Sequence, residues 1–382
     1  MLIRPFTIEV PSSAIADLRE RLKRTRWPDQ FAGAGWELGV EQGYLRDLCA
    51  YWADGFDFQT CLGELNWLPQ FMASIDSYDV HFVHARSPVP DALPLIITHG
   101  WPGSFSEMAK IIPMLTDPER HGRDPRDAFH VVAPSIPGFG FSSKPVKPGT
   151  TPGAIAGLWV RLMNGLGYDR FCVQGGDFGS TISIWLAHNH PRQVIGFHLN
   201  MIPPSLRPGE AGLARKPYSA SEQDLMKRGA QFQELEGAYA HVHRTKPQTI
   251  GHGLNDSPAG LAAWIVEKFH SWSDCKGIIE NAVSRDELLT NISIYWFTQT
   301  ITSSMRLYRE RVTEPMVFDR KLEPPMGFAN FPGEALPTTR DFAERFFDVR
   351  QWTDMPRGGH FAALEQPELL ADDLRAFFRP LR

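Results

Sequence analysis

Cysteine is scarce in this sequence: Cys49, Cys61, Cys172 and Cys275 are far apart, and no CxxC pair occurs. That spacing argues against a disulfide framework or a thiolate metal site and fits a reducing compartment. Long apolar runs are missing too. Nowhere do about 18 uncharged apolar residues follow one another, and the opening MLIRPFTIEVPSS lacks the continuous apolar stretch of a secretory leader. Secretion and membrane spanning lose support, and a soluble, cytoplasmic protein is expected. Nor is there an excess of positive charge, with 39 basic residues against 44 acidic ones. Without a basic field to gather on phosphates, nucleic acid is not an expected partner. His188, His190, His241, His243 and His252 form no HExxH pattern, so zinc is not expected either.

What is present is a foldable composition, 42% hydrophobic and 22% charged. At about 150 residues per domain, the length predicts roughly two and a half units, or one large α/β domain with an insertion. The basic segment Arg19–Arg26 follows Ser12 and Ser13, which are expected to cap a helix with Ile15, Leu18 and Leu22 on its apolar face. It reads as a solvated helix face rather than a membrane patch.

Helix-like stretches are predicted at Ser13–Thr25 and Glu41–Trp52, and the alternation in Tyr78–His84 predicts a strand. Short apolar runs follow at Leu93–Thr98, Phe129–Ala133, Phe171–Gln174 and Val194–Leu199, as in buried parallel strands. Helix-like stretches at Ala154–Leu166 and Thr181–Asn189 separate them, giving the alternation of a doubly wound α/β sheet. The rhythm stops near Pro203-Pro204. Residues 206–314 read as a helical lid, and strand-like runs resume at Met326–Phe331 and Val349–Trp352 before an amphipathic helix at Pro367–Phe378. The expected division is an extension over 1–90, a core split into 91–205 and 315–382, and the lid between.

Phe171–Ser180, FCVQGGDFGS, is a strand ending in Gly-Gly-Asp-Phe-Gly and entering a helix. This is the layout of a nucleophile elbow with Asp177 where serine hydrolases have serine; a plain turn with a capping aspartate has the same residues. No GxSxG occurs, which disfavours a serine esterase. His99-Gly100-Trp101-Pro102-Gly103 ends the preceding core strand and is placed to offer backbone N–H groups of Trp101 and Phe178 to an oxyanion, although Gly- and Pro-rich strand ends are common. Pro137–Ser142 lines the same sheet edge. In chain order a nucleophile, an acid and a histidine point to His360 in Gly358-Gly359-His360-Phe361 as base. Glu334, just past the Met326–Phe331 strand, is the preferred acid, with Asp319, Asp341 and Asp354 as rivals. A carboxylate nucleophile leaves an ester that water can cleave, where serine attacking alkyl carbon would leave an ether. Asp177 therefore implies carbon alkylation, with a halide or a strained epoxide oxygen as leaving group.

The chain resembles the epoxide hydrolases of the α/β-hydrolase superfamily, in particular the microsomal type, over nearly its whole length. The likeness rests on HGWPGS at His99–Ser104, PGFGFS at Pro137–Ser142, QGGDFGS at Gln174–Ser180, Thr245–Phe269, FPGE at Phe331–Glu334 and GGHFAALEQPE at Gly358–Glu368. It implies that Tyr239 and Tyr308 bind the epoxide oxygen, that residues 1–90 wrap core and lid, and that no cofactor or metal is needed. The partners it implies are a small apolar epoxide and water, and a homodimer is left open. Two departures stand out: many relatives carry Trp where this chain has Phe178, and the membrane anchor of microsomal members is not visible. Trp264, Phe269, Trp272 and Trp296 point to an apolar pocket or to plain core. The alternatives are a haloalkane or haloacid dehalogenase with the same nucleophile, and a catalytically silent ligand-binding protein of this fold.

Overall fold

A computed structural model describes residues 1–209, 213 and 216–382. Its strands are β1 (Leu2–Pro5), β2 (Gln70–Ile75), β3 (Tyr78–Ala85), β4 (Leu93–Thr98), β5 (Phe129–Pro134), β6 (Phe171–Gly175), β7 (Val194–Leu199), β8 (Arg207–Pro208), β9 (Val317–Phe318), β10 (Pro325–Asn330) and β11 (Asp348–Asp354). Nine of them form one sheet in the order β1-β2-β3-β5-β4-β6-β7-β10-β11. From β5 to β11 the neighbours are parallel; β1, β2 and β3 join antiparallel at one edge. Apolar side chains of β4, β5 and β6 such as Ile96, Val132 and Val173 are fully buried because helices cover both faces. The chain leaves β4 to build β5 on one side and β6 on the other. The carboxyl ends of β4 and β6 thus open the crevice where ligands bind in such sheets.

Every predicted core strand is found, most within a residue of its expected ends, and the closing helix spans Pro367–Phe378 as expected. Among the elements that were not legible are β1, β2 and the helix Phe58–Asn66. β1 is four residues long and mostly exposed, and β2 carries no clean alternation. The alternation of β3 also misleads, since Val80–Val83 are all buried. Its His81 is tolerated there because its two ring nitrogens bond Ser135 and Gln70, each at 2.9 Å. The first helix runs Ser12–Lys23 with Pro11 at its N-cap and no side-chain cap bond, so Ser12 and Ser13 lie in its first turn and do not cap it.

Among the described residues between β8 and β9, which pair in parallel, lie six α-helices: Ala220–Leu235, Ala238–Thr245, Pro247–Asp256, Pro258–Trp272, Arg285–Thr298 and Ile301–Arg311. The N-terminal residues bind this helical layer directly. Trp52 donates its indole N–H to Ser293 at 3.0 Å, Arg21 meets Asp256 at 2.9 Å, and Trp36 stacks on His270 with centroids 3.8 Å apart. On the far side Arg345 reaches Glu222 with two 2.8 Å bonds, both side chains almost wholly buried. Among the described residues no helix is long and apolar enough to cross a membrane.

Candidate active site

Asp177 stands at the first position of the helix Asp177–Asn189, with φ at +47°. A non-glycine residue in the left-handed region costs on the order of 1–3 kcal/mol and is held there only by its surroundings. Its neighbours explain the glycines. A Cβ on Gly179 would lie 1.9 Å from the Thr98 carbonyl oxygen, and one on Gly175 would lie 2.3 Å from the Gly179 backbone. A Cβ on Gly100 would lie 2.3 Å from that of Asp177 itself. The bare backbones at these positions let β4, β6 and the helix meet in a turn tight enough to lift the carboxylate out of the sheet edge.

The carboxylate enters a cradle of amides. Trp101 N–H donates to Asp177 Oδ1 at 2.8 Å, and the Phe178 N–H adds a second bond. Helix Arg285–Thr298 fixes the β4 loop from above the sheet edge: Asn291 donates to the Pro102 carbonyl at 2.8 Å and the Tyr295 hydroxyl to that of Gly103 at 2.7 Å. Asp177 Oδ2 lies 3.7 Å from His360 Nε2. The other imidazole nitrogen, Nδ1, faces both oxygens of Glu334 at 2.8 and 3.0 Å. The rival acids are elsewhere: Asp341 accepts from Ser219 and Ser221, Asp354 from Asn330, and Asp319 lies against Gly209.

Burial pushes the Asp177 carboxyl above the usual range, opposed by His360, by the two amides and by Arg311. Burial works against the charged form of His360, but Glu334, Asp177 and Glu107 outweigh it and raise the imidazole to about 9. Held at about 9, His360 rests protonated at neutral pH beside Asp177.

Tyr239 and Tyr308 come together from separate helices, Ala238–Thr245 and Ile301–Arg311, with ring centroids 5.8 Å apart. Both are buried, and desolvation holds both phenols above their ordinary value, so they stay protonated donors. The Tyr308 hydroxyl has no hydrogen-bond partner of good geometry among the described residues. Trp101 stacks on Tyr239 at 5.2 Å, and Trp272 packs 5.2 Å from Tyr239 and 5.1 Å from His360. The remaining pocket candidates are placed differently. Trp264 stands one layer back, donating to His243 Nε2 at 3.0 Å. Phe269 stacks on Phe361 at 4.1 Å. Trp296 faces the N-terminal helix, its ring 5.8 Å from the Arg21 guanidinium, and is not brought to this group. The helices between β8 and β9 face the N-terminal residues as well as the pocket, so aromatic content alone does not separate their two sides.

One acid escaped the sequence reading. Glu107 is buried beside Asp177 and His360, and desolvation pushes it up to about 8. It shares with them a cavity of about 20 Å³, and a Cβ on Gly103 would fall 1.4 Å from its Oε1. Its only signal was an acid in the turn after HGWPGS, which reads equally well as a helix-start residue. Glu365, raised to about 7 chiefly by burial, accepts from the Phe361 and Asp274 amides at 2.9 and 2.8 Å and braces the His360 turn.

A strand-turn-helix carboxylate in an amide cradle, backed by a His–Glu pair on one sheet edge, defines an α/β-hydrolase with an aspartate in the nucleophile position. Comparisons with known proteins narrow this further. Residues 3–108 match the family described as Epoxide hydrolase N terminus, and residues 94–244 match the alpha/beta hydrolase fold. A protein of Stigmatella aurantiaca provisionally named an epoxide hydrolase is 44% identical, covering 100% of this chain and 86% of its own. Epoxide hydrolase 1 of Sus scrofa is 39% identical over 98% of this chain and 88% of its own. The crystal structure of juvenile hormone epoxide hydrolase from Bombyx mori, 31% identical, superposes with a TM-score of 0.86 over 100% of this chain and 94% of that one. Aspergillus niger epoxide hydrolase, 32% identical, gives 0.87 over 100% and 97%. The chain belongs to the epoxide hydrolase family and is a hydrolase acting on epoxides.

Proposed function

We propose that turnover is two-stage, with Asp177 as nucleophile, His360 as base, Glu334 as its orienting acid and Tyr239 and Tyr308 as the acids that receive the epoxide oxygen. The observation that carries this reading is the double engagement of Asp177, whose Oδ1 is held by Trp101 N–H at 2.8 Å while Oδ2 lies 3.7 Å from His360 Nε2. Oδ2 attacks a ring carbon in line, the C–O bond breaks, and the alkoxide takes a proton from a tyrosine, giving a hydroxyalkyl ester. Esterification removes the Asp177 charge. One of the charges that keep His360 protonated is then gone, and the imidazole becomes a better base for the second stage.

The proton on His360 passes through solvent to the tyrosinate left by the first stage, and the neutral imidazole then takes a proton from water, which attacks Cγ of Asp177. The developing oxyanion is Oδ1, already held by the Trp101 amide, and the Phe178 amide also bonds this carboxylate, so little reorganisation is needed. Glu107, neutral near pH 7, holds that water; its shared cavity of about 20 Å³ exceeds the ~10–15 Å³ one water needs. Collapse expels the ester oxygen as an alkoxide, which takes the proton of the newly formed carboxyl, so that a vicinal diol leaves and the carboxylate is restored. The aromatic walls formed by Trp101, Trp272 and Phe178 favour apolar groups next to the ring. The helical layer 206–314 acts as the lid, 1–90 as the brace that wraps lid and core, and 91–205 with 315–382 as the core. Four buried, unpaired cysteines support a cytoplasmic location.

A single turnover of unlabelled enzyme with a styrene-type epoxide in heavy-oxygen water tests the scheme. The new hydroxyl of the first diol is expected to carry light oxygen from the Asp177 side chain; heavy oxygen there overturns it.

A further inference from the structure

His243 is fully buried among the rings of the reaction centre, on the helix that carries Tyr239. Its ring stands edge-to-face with Trp101 at 4.6 Å, with Tyr308 at 4.8 Å and with Tyr239 at 5.5 Å. The two imidazole nitrogens have different surroundings. Nε2 accepts from the Trp264 indole N–H at 3.0 Å. An indole only donates, so Nε2 carries no proton and the neutral ring holds its hydrogen on Nδ1. Burial, helped by the charge of Lys268, keeps His243 down at about 3, so the ring is neutral at physiological pH.

That Nδ1–H has no hydrogen-bond partner among the described residues, and neither has the Tyr308 hydroxyl. Two unpartnered polar groups therefore sit on neighbouring rings in a desolvated layer, where an unpaired donor is costly. The first stage of turnover supplies what the imidazole lacks. When a tyrosine hydroxyl passes its proton to the epoxide oxygen, a phenolate appears in this layer and its oxygen is a strong acceptor. Arg311 answers that charge only from the ring, with its guanidinium carbon 5.6 Å from the Tyr308 centroid.

Resting on the two-stage reading above, we propose that His243 is a positioning residue for the first stage, whose Nδ1–H donates a hydrogen bond to the phenolate oxygen of Tyr308 as it forms. The epoxide C–O bond breaks as Asp177 Oδ2 bonds to carbon, the Tyr308 hydroxyl proton goes to the ring oxygen, and the imidazole keeps its own proton throughout. A donor engaged only where charge develops lowers the barrier without tightening substrate binding. Trp264 fixes the tautomer that makes His243 a donor.

The test follows the loss of a styrene-type epoxide in acid-quenched single turnovers with enzyme in excess, a rate that reports ester formation. His243→Leu and His243→Met remove the donor with two different shapes. Each is expected to lower the maximal rate by about 10–100-fold, as loss of a hydrogen bond to a charged group implies, and to leave the half-saturating enzyme concentration unchanged. His243→Gln, which carries an N–H donor, is expected to recover most of the rate. In a Tyr308→Phe background the ring remains but the phenolate cannot form, and there His243→Leu is expected to cost less than about threefold.

An equal loss in that background marks a packing role and overturns the proposal, as does a Gln variant no faster than Leu, or a native rate in all three variants. A penalty that disappears in Tyr239→Phe and persists in Tyr308→Phe also overturns it, since the donor then serves the other phenol. If Tyr239→Phe and Tyr308→Phe each keep the native rate, the reading of the tyrosines as acids fails instead.

Discussion

Replacing Glu334 by Gln removes one charge from the base and leaves its shape. Both carboxylate oxygens lie within 3.0 Å of His360 Nδ1, and the Glu334 and His360 side chains are each 4% exposed. At an effective dielectric of ~20, two unit charges about 4 Å apart interact by about 4 kcal/mol. Burial by itself disfavours the imidazolium and the Glu334 carboxylate favours it, so losing the carboxylate lowers the imidazole from its native value of about 9. The drop is expected to be roughly 1–3 pH units. The imidazolium formed when water is deprotonated then has no counter-charge, and ester hydrolysis should slow by roughly 10²–10⁴-fold. Attack by Asp177 needs no base, so alkylation should lose far less. The alkyl ester should therefore accumulate, visible by mass spectrometry of acid-quenched, digested enzyme as a substrate-sized increase on the Asp177 peptide. The acid limb of the pH–rate profile should move to lower pH. A Glu334→Gln enzyme with no trapped ester and an unmoved acid limb would refute this account of the base.

Tyr308→Phe or Tyr239→Phe alone should slow ester formation by part of the ~10²–10⁴-fold typical of acid assistance, and the double change should nearly stop it. Stopped-flow quenching of the nearby Trp101 and Trp272 fluorescence would follow that step. Glu107→Leu should slow hydrolysis by roughly 3–10-fold through loss of one hydrogen bond to water, without touching alkylation. Glu107→Gln mimics the neutral acid and should keep most of the rate. Burial raises Glu107 to about 8, so the native enzyme populates its charged form only above that pH. Any alkaline change in hydrolysis that belongs to Glu107 should vanish in Glu107→Gln, and its survival there would assign it to another group.

The chain order of the site was legible because the chemistry needs local patterns. The glycines around Asp177 are demanded by backbone contacts that any side chain would block, and the turns at His99–Gly103 and Gly358–His360 punctuate buried strands whose apolar runs are visible in one dimension. Sequence therefore sufficed for the parallel core, for an aspartate in the place of serine, and for selecting Asp177, Glu334 and His360 as residues that the fold brings together. It ranked Glu334 above Asp319, Asp341 and Asp354 only by position. What separates them is that β10 and β11 lie side by side, which brings the turn after one against the turn after the other.

The tertiary structure alone decided matters that depend on which surfaces meet. β1 and β2 become strands by pairing at an edge, where local preference is weak, and β3 becomes an interior strand for the same reason. Trp272 and Trp296 sit on neighbouring lid helices with similar surroundings in sequence, yet one faces His360 and the other Arg21. Glu107 acquires a raised pKa from desolvation, and Arg311 comes to lie over the rings of Phe178 and Tyr308. Burial and charge proximity are properties of space rather than of chain order, so no residue pattern along the chain specifies them.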